Sequence, residues 1–189
     1  MKQSQARITR EYGPFPGAST VGGVDYDGRY VWLATGDKLQ ALDPASGEIQ
    51  QTLNVAADAG TAFAGTHLYQ IAEKQIHKID PKTGDILASL PAPGDGEDSG
   101  MAWAEGSLWV GQYRKRKIHQ VDPETGAVLR TLEGDDADLR HIDSQTGDVL
   151  ERIDMPEGVH VSGLTYDGNG LFYCGGGPTG KVRAVARHG

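Results

Sequence analysis

Residues 106–132 read GSLWVGQYRKRKIHQVDPETGAVLRTL. Three short apolar stretches, centred on Trp109, on Ile118–Val121 and on Val128–Leu132, are separated by a basic loop and by the sequence DPETG. Proline presets the backbone at the second position of a turn and glycine supplies positive φ at its end, so DPETG folds the chain back on itself. Runs this short, bounded by Gly and Pro, are strands rather than helices. Ile118 and Val121 lie three apart and so face opposite sides of a strand, which must therefore be buried on both faces. Val128 and Leu132 lie four apart and share one face.

Working outward, the same grammar recurs. The turn appears again as LDPASG, IDPKTG and IDSQTG, with its aspartates at Asp43, Asp80 and Asp143 beside Asp122. Their side chains are placed to accept bonds from nearby backbone N–H groups, a structural role favoured over catalysis or metal binding. The three-apart pairs are Leu39/Leu42, Ile76/Ile79, Ile118/Val121 and Leu139/Ile142; the four-apart pairs are Ile49/Leu53, Ile86/Leu90, Val128/Leu132 and Val149/Ile153. Ahead of these come the glycine-punctuated stretches GGVDYDG (22–28), GTAFAG (60–65), SGMAWAEG (99–106) and SGLTYDG (162–168), followed by aromatics at Trp32, Tyr69, Trp109 and Phe172. Units of about 40 residues with four strands each describe the blades of a β-propeller, whose third strands are apolar on both faces because blades stack around an axis.

Two irregularities set the expected topology. The turn aspartates are spaced by 37, 42 and then only 21 residues. One fourth strand (127–132), a turn EGDDA (133–137) and one third strand (138–142) fill that last step, so one unit lacks its inner two strands. The last unit has Val182/Val185 in its third strand and then ends, while ARITREY near the N-terminus carries Ile8 and Tyr12 four apart, as fourth strands do. The expectation is an all-β protein, one propeller domain over 1–189 with about five blades, at roughly 22–55, 58–92, 98–133, 134–156 and 160–187 plus 5–12. Blade four is reduced to its outer two strands, and the N-terminal strand closes the ring and hides both edges. Of three fates for the reduced blade, a thin blade within the ring is preferred over a sideways extension of blade three or an exposed edge that recruits a second copy.

Composition narrows the function classes. Glycine at 27 of 189 residues is about twice the usual ~7% and reflects turns. A net charge of −8 argues against a nucleic-acid partner, which needs a basic surface. The single cysteine, Cys174, excludes a disulfide framework and a multi-cysteine zinc site. No run approaches ~18 apolar residues and the start has no apolar leader, so the expected setting is the cytoplasm with no membrane partner. GGGPTGKV (175–182) has P-loop spacing, but Val182 replaces the Ser/Thr and a strand follows, so it reads as a glycine-rich hairpin. No cofactor and no metal are expected; calcium at Asp95, Glu97 and Asp98 lacks a full ligand set.

Residues just before each inner strand line one mouth of a propeller's channel. Asp58, Glu97, Asp98, Ser99, His160 and Ser162 fall there, and Gln112, Tyr113 and Trp103 add polar and aromatic walls. Asp58, Ser99, Trp103, Gln112, Tyr113 and Ser162 are the candidate ligand-binding residues. His160, with Glu97 or Asp98 as its carboxylate, is the candidate acid–base pair, set against the plainer reading of a surface histidine. Asp95, Glu97 and Asp98 should lie near Arg114, Lys115, Arg116 and Lys117, as a surface charge network or as a charged rim around an entrance.

The units at 106–132 and THLYQIAEKQIHKIDPKTGDILASL (66–90) resemble the repeats of small bacterial propellers grouped with five-bladed glutaminyl cyclases and with quinoprotein-like repeats. The resemblance covers nearly the whole chain and implies the fold. Cyclases of that type carry a motif close to F-T-Q-G-L and a second strand close to L-Y-E-S-T-G with a catalytic glutamate. The matching stretches here are TVGGV (20–24) and VWLATG (31–36), so Gly22 stands for the glutamine and Leu33 for the glutamate. Streptogramin-lyase-like propellers share aromatic-rich repeats, with no match to their active site. Two classes follow: a propeller that binds a small molecule or peptide at the channel mouth, or a cyclotransferase- or lyase-type enzyme with a rearranged site. Self-association through the exposed edge of blade four is the further expected contact.

Overall fold

A computed structural model describes residues 2–133, 139–143, 145–157, 159, 161–176 and 179–187. The described residues are strands, turns and loops with no helix. β1 (Lys2–Tyr12) is followed by three meanders of four antiparallel strands. Blade one comprises β2 (Gly23–Tyr26), β3 (Val31–Ala34), β4 (Leu39–Leu42) and β5 (Ile49–Leu53). Blade two comprises β6 (Thr61–Ala64), β7 (His67–Ala72), β8 (Gln75–Ile79) and β9 (Ile86–Pro91). Blade three comprises β10 (Met101–Ala104), β11 (Ser107–Gln112), β12 (Lys117–Val121) and β13 (Val128–Glu133). The remaining strands are β14 (Leu139–Ile142), β15 (Val149–Asp154), β16 (Gly163–Tyr166), β17 (Leu171–Gly175) and β18 (Val182–Arg187). With β1 they form one six-stranded sheet in the order β14-β15-β1-β18-β17-β16.

In blades one, two and the last the third strands are buried as their three-apart pattern requires, with Leu39, Leu42, Ile76, Ile79, Val182 and Val185 all at most 1% exposed; in blade three Val121 is buried but Ile118 is only partly covered. In the fourth strands only one end of each four-apart pair is covered. Leu53, Leu90 and Ile153 are buried, whereas Ile86 and Val128 are about half exposed. The turn aspartates accept backbone bonds, Ala45 N–H on Asp43 at 2.8 Å, Lys82 N–H on Asp80 at 2.7 Å and Thr125 N–H on Asp122 at 2.8 Å. Gly175 pairs with Val182 across antiparallel β17 and β18, as a glycine-rich hairpin should; residues 177 and 178 lie outside the described residues.

The N-terminal strand does close the last blade. Residues 6–12 of β1 pair antiparallel with β18, and Tyr12 is buried against Tyr173 and Val182. The five-part ring is corrected to four blades. The β14–β15 hairpin is neither a thin blade in the ring nor an extension of blade three. It joins the last blade, because Lys2–Gln5 run parallel to Glu151–Asp154 and zip β15 onto β1. Its own turn still packs where a next blade's turn would. A β-carbon on Gly147 would meet Leu132 of β13 at 3.5 Å, as one on Gly84 meets Leu53 of β5 at 3.5 Å. Among the described residues the inner edges of the four sheets are β2, β6, β10 and β16, and their opposite edges are β5, β9, β13 and β14, with β15 and β1 inside the last sheet. β14 ends the six-stranded sheet; the turn residues 134–138 lie outside the described residues.

Four inner strands leave little room on the axis, and glycine makes the fit feasible. A β-carbon on Gly23 would sit 2.4 Å from Ala59 O, one on Gly60 2.3 Å from Met101 N, and one on Gly163 2.6 Å from Val24 N. The fourth junction is looser: Gly100 would meet only Ser162 O, at 3.4 Å. That is the junction between blade three and the last blade, where the inner half-blade is absent from the sequence. The glycines stand at the starts of the inner strands, so neighbouring blades abut backbone to backbone at that end.

Candidate functional site

At the other end of the channel the inner strands diverge around a cleft of about 380 Å³. It is lined by Asp25 and Tyr26 of β2, Phe63 of β6, Ala102 and Trp103 of β10, Leu164, Thr165 and Tyr166 of β16, and Phe172 of β17. Strand pairing puts Asp25 level with Ala62, Ala102 and Thr165, the four being paired with Trp32, Tyr69, Trp109 and Tyr173, and puts Tyr26, Phe63, Trp103 and Tyr166 together one position later. One carboxylate therefore shares its level with a hydroxyl and two alanines, beside a tier of four aromatics.

Asp25 is held from three blades. Oδ1 accepts the N–H of Tyr26 at 2.8 Å and the hydroxyl of Thr165, and Oδ2 accepts the N–H of Phe63 at 2.5 Å. Thr165 Oγ1 in turn accepts Tyr26 N–H at 3.2 Å. Burial pushes the Asp25 carboxyl above its usual range, against the pull of the Thr165, Phe63 and Tyr26 donors. The rings around it are backed by other rings. Trp103 stacks on Tyr69 with centroids 6.1 Å apart, Tyr166 lies 4.8 Å from Phe172, and Tyr26 lies 6.0 Å from Tyr173. Tyr26 Oη also donates to Gly28 O at 2.9 Å.

Of the sequence-predicted residues only Trp103 lines this cleft. Ser99, Gln112, Tyr113, Glu97 and Asp98 do come together, but at the opposite end, in blade three. Ser99 Oγ donates to Gly111 O at 3.0 Å and accepts Tyr113 N–H at 3.2 Å. Asp98 is 8% exposed; Oδ2 accepts Gly94 N–H at 3.0 Å, while Oδ1 has no hydrogen-bond partner in bonding geometry. Beside it runs a polar chain. Gln112 Oε1 lies 3.1 Å from His119 Nε2, and His119 Nδ1 lies 2.9 Å from Thr131 Oγ1. The amide carbonyl accepts, which places the imidazole proton on Nε2 and makes Nδ1 the acceptor of the threonine hydroxyl. Burial raises the Asp98 carboxyl and lowers the His119 imidazole. Glu97 is instead occupied by Lys115 at 2.7 Å, whose hydrogen bond holds it below the usual carboxylate range. Asp95 pairs with Lys74 of blade two at 3.1 Å.

The other expected residues stand apart. Asp58 accepts Glu73 N–H at 3.0 Å and Ser162 N–H donates to Gly175 O at 2.7 Å. His160 lies outside the described residues. Among the described residues no three His, Cys, Asp or Glu side chains gather as a metal site would require.

No family model matches the chain, and no curated protein matches it. Solved structures do. The chain superposes on the crystal structure of Myxococcus xanthus glutaminyl cyclase with a TM-score of 0.77 at 18% identity, over 98% of this chain and 97% of that one. Hydrazine synthase of Kuenenia stuttgartiensis is matched with a TM-score of 0.55 at 14% identity, over 84% of this chain and 56% of that one. The likeness shows a β-propeller fold. At the two positions that match the cyclase motif, the structure agrees with the substitutions read from the sequence. Leu33 is 0% exposed in an apolar cluster with Val24, Val31 and Leu42, and a β-carbon on Gly22 would lie 2.6 Å from Asp58 O. Position 22 has no space for a glutamine side chain, and position 33 faces no solvent.

Asp25, Tyr26, Phe63, Thr165 and Tyr166 are not singled out by sequence reasoning, and Phe172 is singled out only as a second-strand aromatic, not as a site residue. GGVDYDG had been read only as a strand running into a turn. The signal was present: in the four aligned inner strands, GVDY, GTAF, GMAW and GLTY, Asp25 occupies the position held elsewhere by Ala62, Ala102 and Thr165, just before the recurring aromatic. An acidic residue at an axial level otherwise filled by small side chains needs its own explanation.

Proposed function

We propose that this chain is a ligand-binding β-propeller whose small-molecule or peptide ligand is held in the aromatic cleft at the Asp25 end of the channel. The observation that carries the reading is the meeting of a three-way hydrogen-bonded carboxylate with five aromatic rings in one concave space of ligand size. The walls are costly to leave in water, since Tyr166 alone is 50% exposed beside Phe172. At the opposite end the neighbouring inner strands abut at Gly23, Gly60 and Gly163, which supports placing the ligand at the Asp25 end. Backbone amide shifts during a screen of small aromatic and amine fragments test the reading. Binding in the cleft perturbs residues 25–26, 63, 102–103, 164–166 and 172. Shifts confined to 97–99, 112–113 and 162 would transfer the site to the blade-three end.

A second reading, a cyclotransferase- or lyase-type enzyme with a rearranged site, draws on one specific observation. Asp98 keeps a buried oxygen without a well-formed hydrogen bond, with the Gln112 amide as the side-chain donor acting on the carboxyl, beside the Gln112–His119–Thr131 chain, the kind of unbalanced group that active sites contain. In that reading Asp98 exchanges the proton and His119, acting through Gln112, positions it. Peptides with N-terminal glutamine are the first substrates to offer. Turnover abolished by Asp98→Asn would favour the enzyme. Absence of turnover, or turnover unchanged in Asp98→Asn, would remove this assignment.

A further inference from the structure

The chemistry of the cleft narrows its ligand further, given that the cleft is the ligand site. Of its nine lining residues Asp25 is the only charged one, and none is cationic. Asp27, the nearest other acid acting on Asp25, adds charge of the same sign. The chain as a whole carries −8, so its field draws cations rather than anions. Around this one carboxylate stand Tyr26, Phe63, Trp103, Tyr166 and Phe172. The faces of such rings are electronegative and attract a cation most strongly where water is excluded.

Hydrogen-bond capacity separates two kinds of organic cation. A carboxylate offers about four acceptor sites. Three bonds, from Tyr26 N–H, Thr165 O–H and Phe63 N–H, already occupy Asp25. A primary ammonium brings three donors and finds one vacant acceptor site on the carboxylate, with apolar ring faces elsewhere. Each donor left unsatisfied carries a desolvation penalty. A quaternary ammonium has no N–H to satisfy. It needs only the charge of Asp25 and the ring faces.

We propose that the cleft binds a small quaternary ammonium group, with Asp25 as counter-charge and Trp103, Tyr166, Phe172, Phe63 and Tyr26 as its aromatic walls. Thr165 positions the carboxylate by donating to Oδ1, and the backbone N–H of Phe63 fixes Oδ2. The backing contacts Trp103–Tyr69 and Tyr26–Tyr173 pre-orient the walls, so little ordering accompanies binding.

Calorimetric titration of the full chain with choline and phenyltrimethylammonium tests this. The comparison probes are 3,3-dimethylbutan-1-ol, which has choline's shape without its charge, and ethanolamine, the corresponding primary amine; sodium chloride at equal ionic strength controls for screening. The quaternary probes are expected to bind at least tenfold tighter than either comparison probe. Asp25→Asn should weaken choline at least tenfold and leave the neutral alcohol unchanged. Tyr166→Ala, at the exposed rim, should weaken the quaternary probes in a chain that retains its thermal transition, which keeps the test valid if Asp25→Asn fails to fold. Equal binding of the neutral alcohol, or tighter binding of ethanolamine, with amide shifts in the cleft, would overturn the quaternary-ammonium class and leave the cleft reading standing. No binding of any probe beyond the sodium chloride effect would overturn the class as well. The fragment screen, which includes uncharged aromatic ligands, then decides separately whether the cleft binds anything.

Discussion

The tightest point of the ring is the start of β6, where Gly60 faces blade three, and Gly60→Ala asks whether four inner strands really crowd the axis there. The added methyl would lie 2.3 Å from Met101 N, 2.5 Å from Gly100 C and 2.8 Å from Met101 Cβ. Two of the three obstructing atoms are backbone, so no rotamer change can clear the space. Relief requires blades two and three to separate. Overpacking of this kind costs about 1–3 kcal/mol, and the backbone nature of the clash places Gly60→Ala near the upper end. For a domain of this length that corresponds to a fall in melting temperature of roughly 6–12 °C. Gly100→Ala is the internal comparison. Its methyl would meet only Ser162 O, at 3.4 Å. A glycine-to-alanine change without strain gains about 0.4–1 kcal/mol by restricting the unfolded chain, so this variant is expected to be neutral or slightly more stable. Urea unfolding followed by tryptophan fluorescence, with the slope unchanged among variants, reads both. A cost below about 0.5 kcal/mol for Gly60→Ala, or equal costs at the two positions, would refute the asymmetric four-strand ring.

Three further outcomes follow from the same geometry. Leu33→Glu, which writes the cyclase family's glutamate into its matching strand position, should destabilise the chain by more than about 3 kcal/mol and generate no cyclase turnover, because it buries an unpaired charge; a stable, active variant would contradict the placement of Leu33. Cys174 is buried, and burial pushes its thiol up to about 11, so native protein should react with a thiol reagent at neutral pH only as fast as it unfolds. The turn aspartates Asp43, Asp122 and Asp143 are held below the usual carboxylate range, chiefly by backbone N–H donors. Their contribution is therefore complete above the unfolded-state value of about 4 and is lost as pH falls through the folded-state values. Asp122→Ala should lower the melting temperature at neutral pH and change it least in acid, and a difference that grew on acidification would contradict this assignment.

Local periodicity carried much of the fold. The three-apart pairs Leu39/Leu42, Ile76/Ile79 and Val182/Val185 correctly marked strands covered on both faces, whereas of Ile118/Val121 only Val121 is fully buried. Ile8 and Tyr12 likewise marked the strand that closes the ring. What periodicity could not supply was the destination of the β14–β15 hairpin. Its place depends on Lys2–Gln5 pairing with Glu151–Asp154, two polar stretches almost a chain length apart with no shared pattern. Nor could it give the blade count, because a short step between turns reveals that strands are absent without saying which neighbours close the gap.

The candidate site was legible in part for a related reason. Ser99, Gln112 and Tyr113 were expected together, and they are joined by β10–β11 pairing and by bonds to Ser99 Oγ. At their end of the channel, however, neighbouring inner strands abut through Gly23, Gly60 and Gly163, a close approach that a strand pattern alone does not disclose. The role of Asp25 depends on Phe63 and Thr165, residues 38 and 140 positions away. Only the closing of the ring brings those partners to it.

All of this depends on β10 and β16 being neighbours, since the cleft takes walls from both. Nuclear Overhauser contacts across that junction test the point most directly. The account predicts contacts between the α-protons of Gly100 and backbone protons of Ser162 and Gly163, together with contacts between the Tyr26 amide and the Thr165 side chain. A hairpin inserted between blade three and the last blade would separate their sheets by about 10 Å more. Absence of the Gly100–Ser162 contacts, with β14–β15 protons found in their place, would contradict the four-strand ring and the cleft built on it.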